Sequence, residues 1–376
     1  MKNSALLFIT SVISFNILSA GGNGFKPCAG PDSARTVEIS VVGDLMCHSP
    51  EIDYSRAKND SLDFRSIFSV IKNDLTVADL TIGNLETTLS GREMKFSGYP
   101  LFNSPDQFLD AIKDAGFNFL FTSNNHCMDR GQAGLLQTLV KIHALRIGST
   151  GTFSSLKDRD SIRILNVKGI RIALLAYTYG INGNQIPAGA GYLVNPIDTC
   201  LIQNDIVAAN AHGADIVIVY FHFGDEYKRT PSAFQNAIVD KTFRYGADII
   251  LGSHPHVVQT ASFVQKSSGH LAKGFVAFSL GNFISNQRWR YSDCGVILNI
   301  WLTKRGEHPV TISGVSILPT WVYKGKIGSR NRFVILPSDS AHFPLPAYLS
   351  KSDKIKLLQS CSDTKKMFDA VTAKGN

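Results

Sequence analysis

The stretch Ala247-Asp248-Ile249-Ile250-Leu251-Gly252-Ser253-His254-Pro255-His256 runs from an apolar, β-branched segment to a glycine and then delivers two histidines two positions apart. An apolar run of this length reads as a buried strand. Small, polar and imidazole-bearing residues at the end of such a strand stand where α/β proteins place ligands. Just upstream, a helical segment closes at Tyr245-Gly246, and glycine suits the left-handed residue that ends a helix. The same unit of helix, glycine stop, short buried strand and polar cluster occurs at Gly116 and Gly213. This repetition predicts α/β layers, with the polar clusters gathered along one edge of a sheet.

Upstream, a helix over about Cys200 to Ala211 precedes a strand from Ala214 to Phe221, which ends in His222-Phe223-Gly224-Asp225-Glu226-Tyr227. Thr230-Pro231 caps the helix that follows. A strand at Ile172 to Ala176 carries Tyr177, Tyr179, Asn182 and Asn184 behind it. Phe117 to Phe121 ends in Thr122-Ser123-Asn124-Asn125-His126, and amides are poor residues to bury without partners. Asp129 reads as the N-cap of a helix from Gln132 to Leu145. A helix over Asp63 to Lys72 leads to a strand from Leu75 to Ile82, closed by Gly83-Asn84-Leu85-Glu86. Residues Ser90 to Asn103 read as a loop overhanging the site, and Ser104 caps the next helix. The first strand, Thr36 to Val42, ends in Gly43-Asp44-Leu45-Met46-Cys47-His48. Asp44 there is a metal-binding or catalytic carboxylate, or a turn or cap residue.

Downstream, Gly274 to Leu280 forms a strand ending in Gly281-Asn282-Phe283. Gly295 to Thr303, Val310 to Leu318 and Phe333 to Leu336 read as strands joined by turns, expected in a second, more antiparallel sheet. The tail from Pro346 reads as a charged helix without site residues.

The chain has 376 residues, 44% of them hydrophobic, enough to bury a large core. Its formal charge is +8, but the lysines and arginines form no aromatic-interleaved stripe, so no nucleic-acid partner is expected. The excess suits an anionic substrate or envelope polymer. Met1 to Ala20, with Lys2 before an apolar run, reads as a secretory signal peptide or an uncleaved anchor. Residues 36–285 then form the enzyme domain, and residues 286–376 a β-rich extension of it with a helical tail. The six cysteines show no zinc-type spacing. Cys47 and Cys127, each beside a site residue, are expected to approach one another.

Six strand ends thus offer Asp44, Glu86, Asn125-His126, His222 with Glu226, His254-His256 and Asn282. Carboxylate, amide oxygen and imidazole together suit borderline divalent metals such as manganese, zinc or iron. Ser123 and Ser253 lie beside histidines but outside a Gly-x-Ser-x-Gly elbow. Neither a Walker loop nor a Gly-x-Gly-x-x-Gly follows the first strand.

These motifs, in order from about Val37 to Phe283, resemble the CapA family of capsule-synthesis proteins, associated with poly-γ-glutamate and related to calcineurin-like metallophosphoesterases. The resemblance implies a four-layer αββα sandwich, two β-sheets face to face with helices outside. It implies one or two divalent metals, with Asp44 and His256 on one, Asn125, His222 and His254 on the other, and Glu86 bridging. His126 would be the general acid, and Asn84, Glu226, Tyr227 and Asn282, with Arg288 and Arg290, would meet substrate. Met46 stands where the phosphoesterase pattern has histidine, with His48 two residues on. Glu86 replaces its bridging aspartate, and Phe223 a tryptophan usual among CapA relatives. The implied activity is metal-dependent cleavage of γ-glutamyl amides in an anionic capsule or envelope polymer, by a protein exported to the periplasm or cell envelope and working with capsule-synthesis membrane proteins. The alternatives are a calcineurin-like phosphoesterase and a non-catalytic export or anchoring component.

Overall fold

The computed structural model describes residues 33–57, 61–341 and 343–372; the leader and Cys28 lie outside them. From the N-terminal side, β1 (Ala34–Leu45) is followed by three short helices, α1 (Ser49–Tyr54), α2 (Arg65–Phe68) and α3 (Lys72–Thr76). Next come β2 (Leu80–Leu85), α4 (Asp106–Asp114), β3 (Phe119–Phe121), α5 (Gly131–Ala144) and β4 (Gly148–Thr150). Strands β1 to β4 are parallel neighbours in chain order.

A second sheet follows from α6 (Leu156–Asp160), β5 (Arg163–Val167), β6 (Ile170–Thr178), α7 (Thr199–Ala211), β7 (Ile216–His222), α8 (Ala233–Tyr245), β8 (Ile249–Ser253), β9 (Ala261–Gln265) and β10 (Lys273–Ala277). Its six strands run in the order β5-β6-β7-β8-β10-β9. The chain then returns to the first sheet with β11 (Asn282–Ile284), β12 (Cys294–Arg305), β13 (Thr311–Ile327) and β14 (Arg330–Pro337), and ends in α9 (Lys351–Thr372). The first sheet reads β14-β13-β12-β1-β2-β3-β4, with β11 paired to β1.

Alternation along the strands makes the four layers. Val37, Ile39 and Val41 of β1 meet Ile172 and Leu174 of β6 and Ile218 and Tyr220 of β7 in the core between the sheets. Val217, Val219 and Phe221 point the other way, onto Ile202 and Ile206 of α7 and Ile238 and Phe243 of α8. On the far side, Val42, Leu45 and Leu120 pack under Ile52, Phe68, Phe108 and Ile112 of the helices that cover the first sheet. The expected α/β sandwich of two sheets between helices is what forms.

Four expectations give way. The antiparallel strands β12 to β14 extend the first sheet, because β1 leaves an open edge that β12 pairs from Ala34↔Arg305 to Val41↔Leu298. Leu75 lies in a helical turn that carries it into the outer core, so β2 starts five residues later, at Leu80. Helix α4 has Pro105 at its N-cap while the Ser104 hydroxyl bonds Thr87. Helix α8 is capped by Ser232 in a capping box with Gln235, two residues beyond Thr230.

Candidate metal centre

Parallel strands of both sheets end on the same side, so the polar clusters meet across the interface of two sheets, where one sheet edge was expected. Asp44 sits near the end of β1, level with Asn84 of β2 and Asn282 of β11. That register needs Gly43: a Cβ there would lie 1.9 Å from the Gly281 carbonyl oxygen, and Asp44 N donates to that oxygen at 3.0 Å. His222 closes β7 opposite Ser253 of β8. His254 and His256 follow with φ of 102° and 57°, a left-handed backbone that non-glycine residues adopt at a cost and that clusters at functional sites.

The side chains converge. Asn84 Nδ2 donates to Asp44 Oδ1 at 2.8 Å and to Glu86 Oε2 at 3.3 Å, and Asn124 Nδ2 donates to Asn84 Oδ1 at 3.0 Å. His222 Nε2 lies 2.9 Å from Asn125 Oδ1 and 3.6 Å from Glu86 Oε1. His256 Nδ1 is 3.2 Å from Asp44 Oδ2 and 3.0 Å from Asn282 Oδ1, with its Nε2 3.9 Å from Glu86 Oε1. The His254 ring stands 4.9 Å from His222 and 4.4 Å from Tyr179. Among the described residues, two sets have ligand atoms within 4.8 Å of one another: Asp44, Glu86 and His222, and Glu226, His254 and His256.

Burial sets the protonation of these groups. Burial and the Asp44 charge push Glu86 well above the usual carboxyl range. Burial works to raise Asp44 as well, but the hydrogen bond and charge of His256, with the Asn84 amide, hold it below its usual value. Burial and neighbouring imidazoles push His222 well down, and burial with the His256 charge lowers His254 to about 3. Neutral imidazoles are the form that binds metal.

The donor set fits a divalent cation on two observations. Glu86 Oε1 and His254 Nδ1 are buried and have no hydrogen-bond partner. Two carboxylates sharing a water-poor site repel one another, and a buried polar atom left unpaired is costly. A cation between them relieves both.

Beside this centre, His126 Nδ1 lies 2.7 Å from Asp129 Oδ2, which also accepts from the Phe102 backbone N–H at 2.7 Å. Asp129 is therefore no helix cap; Arg130 holds the N-cap position of α5, and the carboxylate reaches inward to His126. The loop 90–103 does overhang the site, with Tyr99 and Phe102 edge-on to His126. A cavity of about 390 Å³ opens there, lined by Met46, His48, Tyr99, His126, Glu226, Tyr227, His256, Asn286, Gln287 and Trp289. A larger open groove of about 670 Å³, bordered by Arg159, Tyr192 and Cys200, lies apart from the centre.

Asn282 donates to Gln287 Oε1 at 2.9 Å, and Gln287 Nε2 to Tyr227 Oη at 3.2 Å, which ties the centre to the cavity wall. Arg290 is committed to Asp363 of α9 by two hydrogen bonds of 3.0 Å, and Arg288 packs over Trp321, so neither lines the cavity. Cys47 and Cys127 are free thiols in separate core clusters, one under the helices of the first sheet and one beneath α5. Sequence reading missed Tyr99, Trp289 and the Asp129 partnership. Only the i, i+3 spacing of His126 and Asp129 offered a local signal.

The family model described as bacterial capsule synthesis protein PGA_cap matches residues 38–287. Over 280 residues the sequence is 30% identical to the capsule biosynthesis protein CapA of Bacillus anthracis, a match covering 71% of this chain and 64% of that protein's length. It is 27% identical over 323 residues to the PGA biosynthesis protein CapA of Bacillus subtilis (strain 168), covering 84% and 82%. Among solved structures, the NAD nucleotidase of Haemophilus influenzae is similar at 15% identity and a TM-score of 0.49, over 91% of this chain and 67% of that one.

Proposed function

Because the chain belongs to the PGA_cap family of bacterial capsule synthesis proteins, we propose that it is an exported, envelope-associated, metal-dependent hydrolase cleaving γ-glutamyl amide bonds of an anionic capsule polymer. The carrying observation is the unpartnered Glu86 Oε1, facing His222 and His256 next to the His126–Asp129 pair. Asp44, Glu86, Asn125, His222, His254 and His256 would hold one or two cations. When bound, manganese, zinc or iron lowers the pKa of water and polarises the oxygen of the group under attack.

The chain's own residues do the rest. Asp129 accepts a hydrogen bond from the Nδ1–H of His126, which fixes the ring and stabilises its imidazolium form, and the Nε2–H of that imidazolium goes to the leaving nitrogen. Asn84 and Asn282 orient Asp44 and His256 by hydrogen bonds at 2.8 Å and 3.0 Å. Glu226 and Tyr227 stand on the cavity wall to meet substrate. Poly-γ-glutamate as polymer rests on the family association, and export on the Met1–Ala20 pattern. Capsule-synthesis membrane proteins are the partners such a role requires. Among the described residues no helix is long and apolar enough to cross a membrane.

A phosphoesterase is the second reading, because the His126–Asp129 pair protonates an ester oxygen as readily as an amide nitrogen. Purified protein supplied with manganese or zinc is assayed for release of new amines from poly-γ-glutamate and of phosphate from mono- and diesters. Polymer cleavage lost with chelator and lowered by about 10²-fold or more in His126→Ala is expected. Turnover of phosphate esters alone overturns the amide reading. Polymer binding without turnover, indifferent to both treatments, leaves a non-catalytic export or anchoring role.

A further inference from the structure

We propose that His48 is a substrate-binding residue of this site, held as the Nε2–H tautomer so that it donates a hydrogen bond to an oxygen of the substrate. The inference rests on the cavity beside the centre being the substrate site, and it applies to an amide or a phosphate ester alike.

His48 borders that cavity together with His126 and His256. The backbone N–H of Asn286 donates to its Nδ1 at 3.2 Å. A backbone N–H can only donate, so Nδ1 bears the lone pair and the ring proton sits on Nε2. The Glu51 carboxylate lies 3.9 Å from the same Nδ1, beyond hydrogen-bond reach, and does not compete. The ring packs edge-on against Phe102 with centroids 5.1 Å apart, and its side chain is 12% exposed.

Phe102 packs in the same way on His126, at 4.7 Å, while its backbone N–H holds Asp129. One phenylalanine therefore sets two imidazoles on one cavity, His126 with its Nδ1–H turned to Asp129 and His48 with its proton on Nε2. Burial, with the charges of His256 and His126, lowers the His48 pKa to about 4, so the donor is neutral at physiological pH. Among the described residues, the cavity lining contains no lysine or arginine. A substrate oxygen next to the reacting group therefore finds uncharged donors on this wall, and His48 is the one whose proton position the backbone fixes.

The test uses zinc-loaded full-length protein labelled with ¹⁵N-histidine, with orthophosphate as the oxygen-bearing probe. Long-range ¹⁵N–¹H spectra, with the His48 signal identified by its loss in H48F, are expected to show an Nε2–H ring that shifts when orthophosphate is added. By calorimetric titration, H48F, which keeps the ring packing but has no donor, binds orthophosphate about tenfold or more weakly. H48Q, which returns an N–H near the Nε2 position, stays within about threefold of the parent. Zinc content and melting temperature are expected to match in all three proteins.

An Nδ1–H ring, unchanged affinity in H48F, equal losses in H48F and H48Q, or no response of His48 to orthophosphate would each overturn the proposal. Loss of zinc from H48F would do so as well, by making His48 a ligand. None of these readouts needs turnover, so a failure to cleave amides sinks the proposed function and leaves this assignment standing.

Discussion

Asp129 is the residue on which the chemistry of His126 depends. Its Oδ2 takes two donors, the His126 ring and the Phe102 backbone, while Oδ1 is buried without a partner. An aspartate so placed holds one tautomer of the ring and stabilises the imidazolium form. In Asp129→Asn the amide fills the same space but no longer favours Nδ1–H. We expect turnover of the responsive substrate to fall by about 10²-fold or more, with metal content unchanged. His126→Ala should lose a similar factor, and the double variant little more, since the pair acts as a unit. Steady-state kinetics beside metal analysis of the three variants checks this. A full multiplicative loss in the double variant would mean that the two residues act separately.

At the level of elements, the site depends on the segment 278–282, which leaves β10 of one sheet for β11 of the other and runs backbone to backbone against a strand of each. Gly43 lies against the Gly281 carbonyl and Gly252 against that of Phe278, where an added Cβ would come within 1.9 Å and 2.1 Å. These are backbone obstacles, so no rotamer change relieves them. Gly43→Ala is expected to cost more than about 2 kcal/mol, seen as a lower denaturant midpoint, and to push β1 away from β11. A surface glycine-to-alanine change such as Gly183→Ala, where a Cβ meets nothing within 4 Å, tests the backbone's left-handed preference alone and should cost about 1 kcal/mol. Equal costs at the two positions would remove close approach as the reason for Gly43.

Across the whole molecule, α9 joins parts that are far apart in sequence. Its Phe368 and Val371 enter the core between the sheets, and its Asp363 holds Arg290 next to the cavity-lining Trp289. Glu51, also packed inside the fold, is fully buried with both carboxylate oxygens unpartnered, and burial raises its pKa to about 8. Between about pH 4.5 and 8 the folded chain keeps that proton and the unfolded chain releases it, so this group's contribution to stability falls as pH rises through that window and is level above it. Glu51→Gln should therefore gain on the order of 4 kcal/mol over the parent at pH 9 and almost nothing at pH 4.5, by denaturant melts at each pH. A gain independent of pH would show that the residue is ionised throughout.

The sequence alone settled the α/β class, the helix-stopping glycines and the strand-end residues Asp44, Glu86, Asn125, His126, His222, His254 and His256. Burial runs, glycine stops and polar clusters are local patterns, written within ten or so residues. What it could not settle was pairing between distant segments: that β12 to β14 extend the sheet of β1, that the clusters face one another across two sheets, and that Asp129 turns inward to His126. Those outcomes depend on which open edge or unpaired polar group lies nearest in space. Only the packed chain brings His48, Phe102 and Asn286 together, and so only tertiary structure decides which nitrogen of that ring carries the proton.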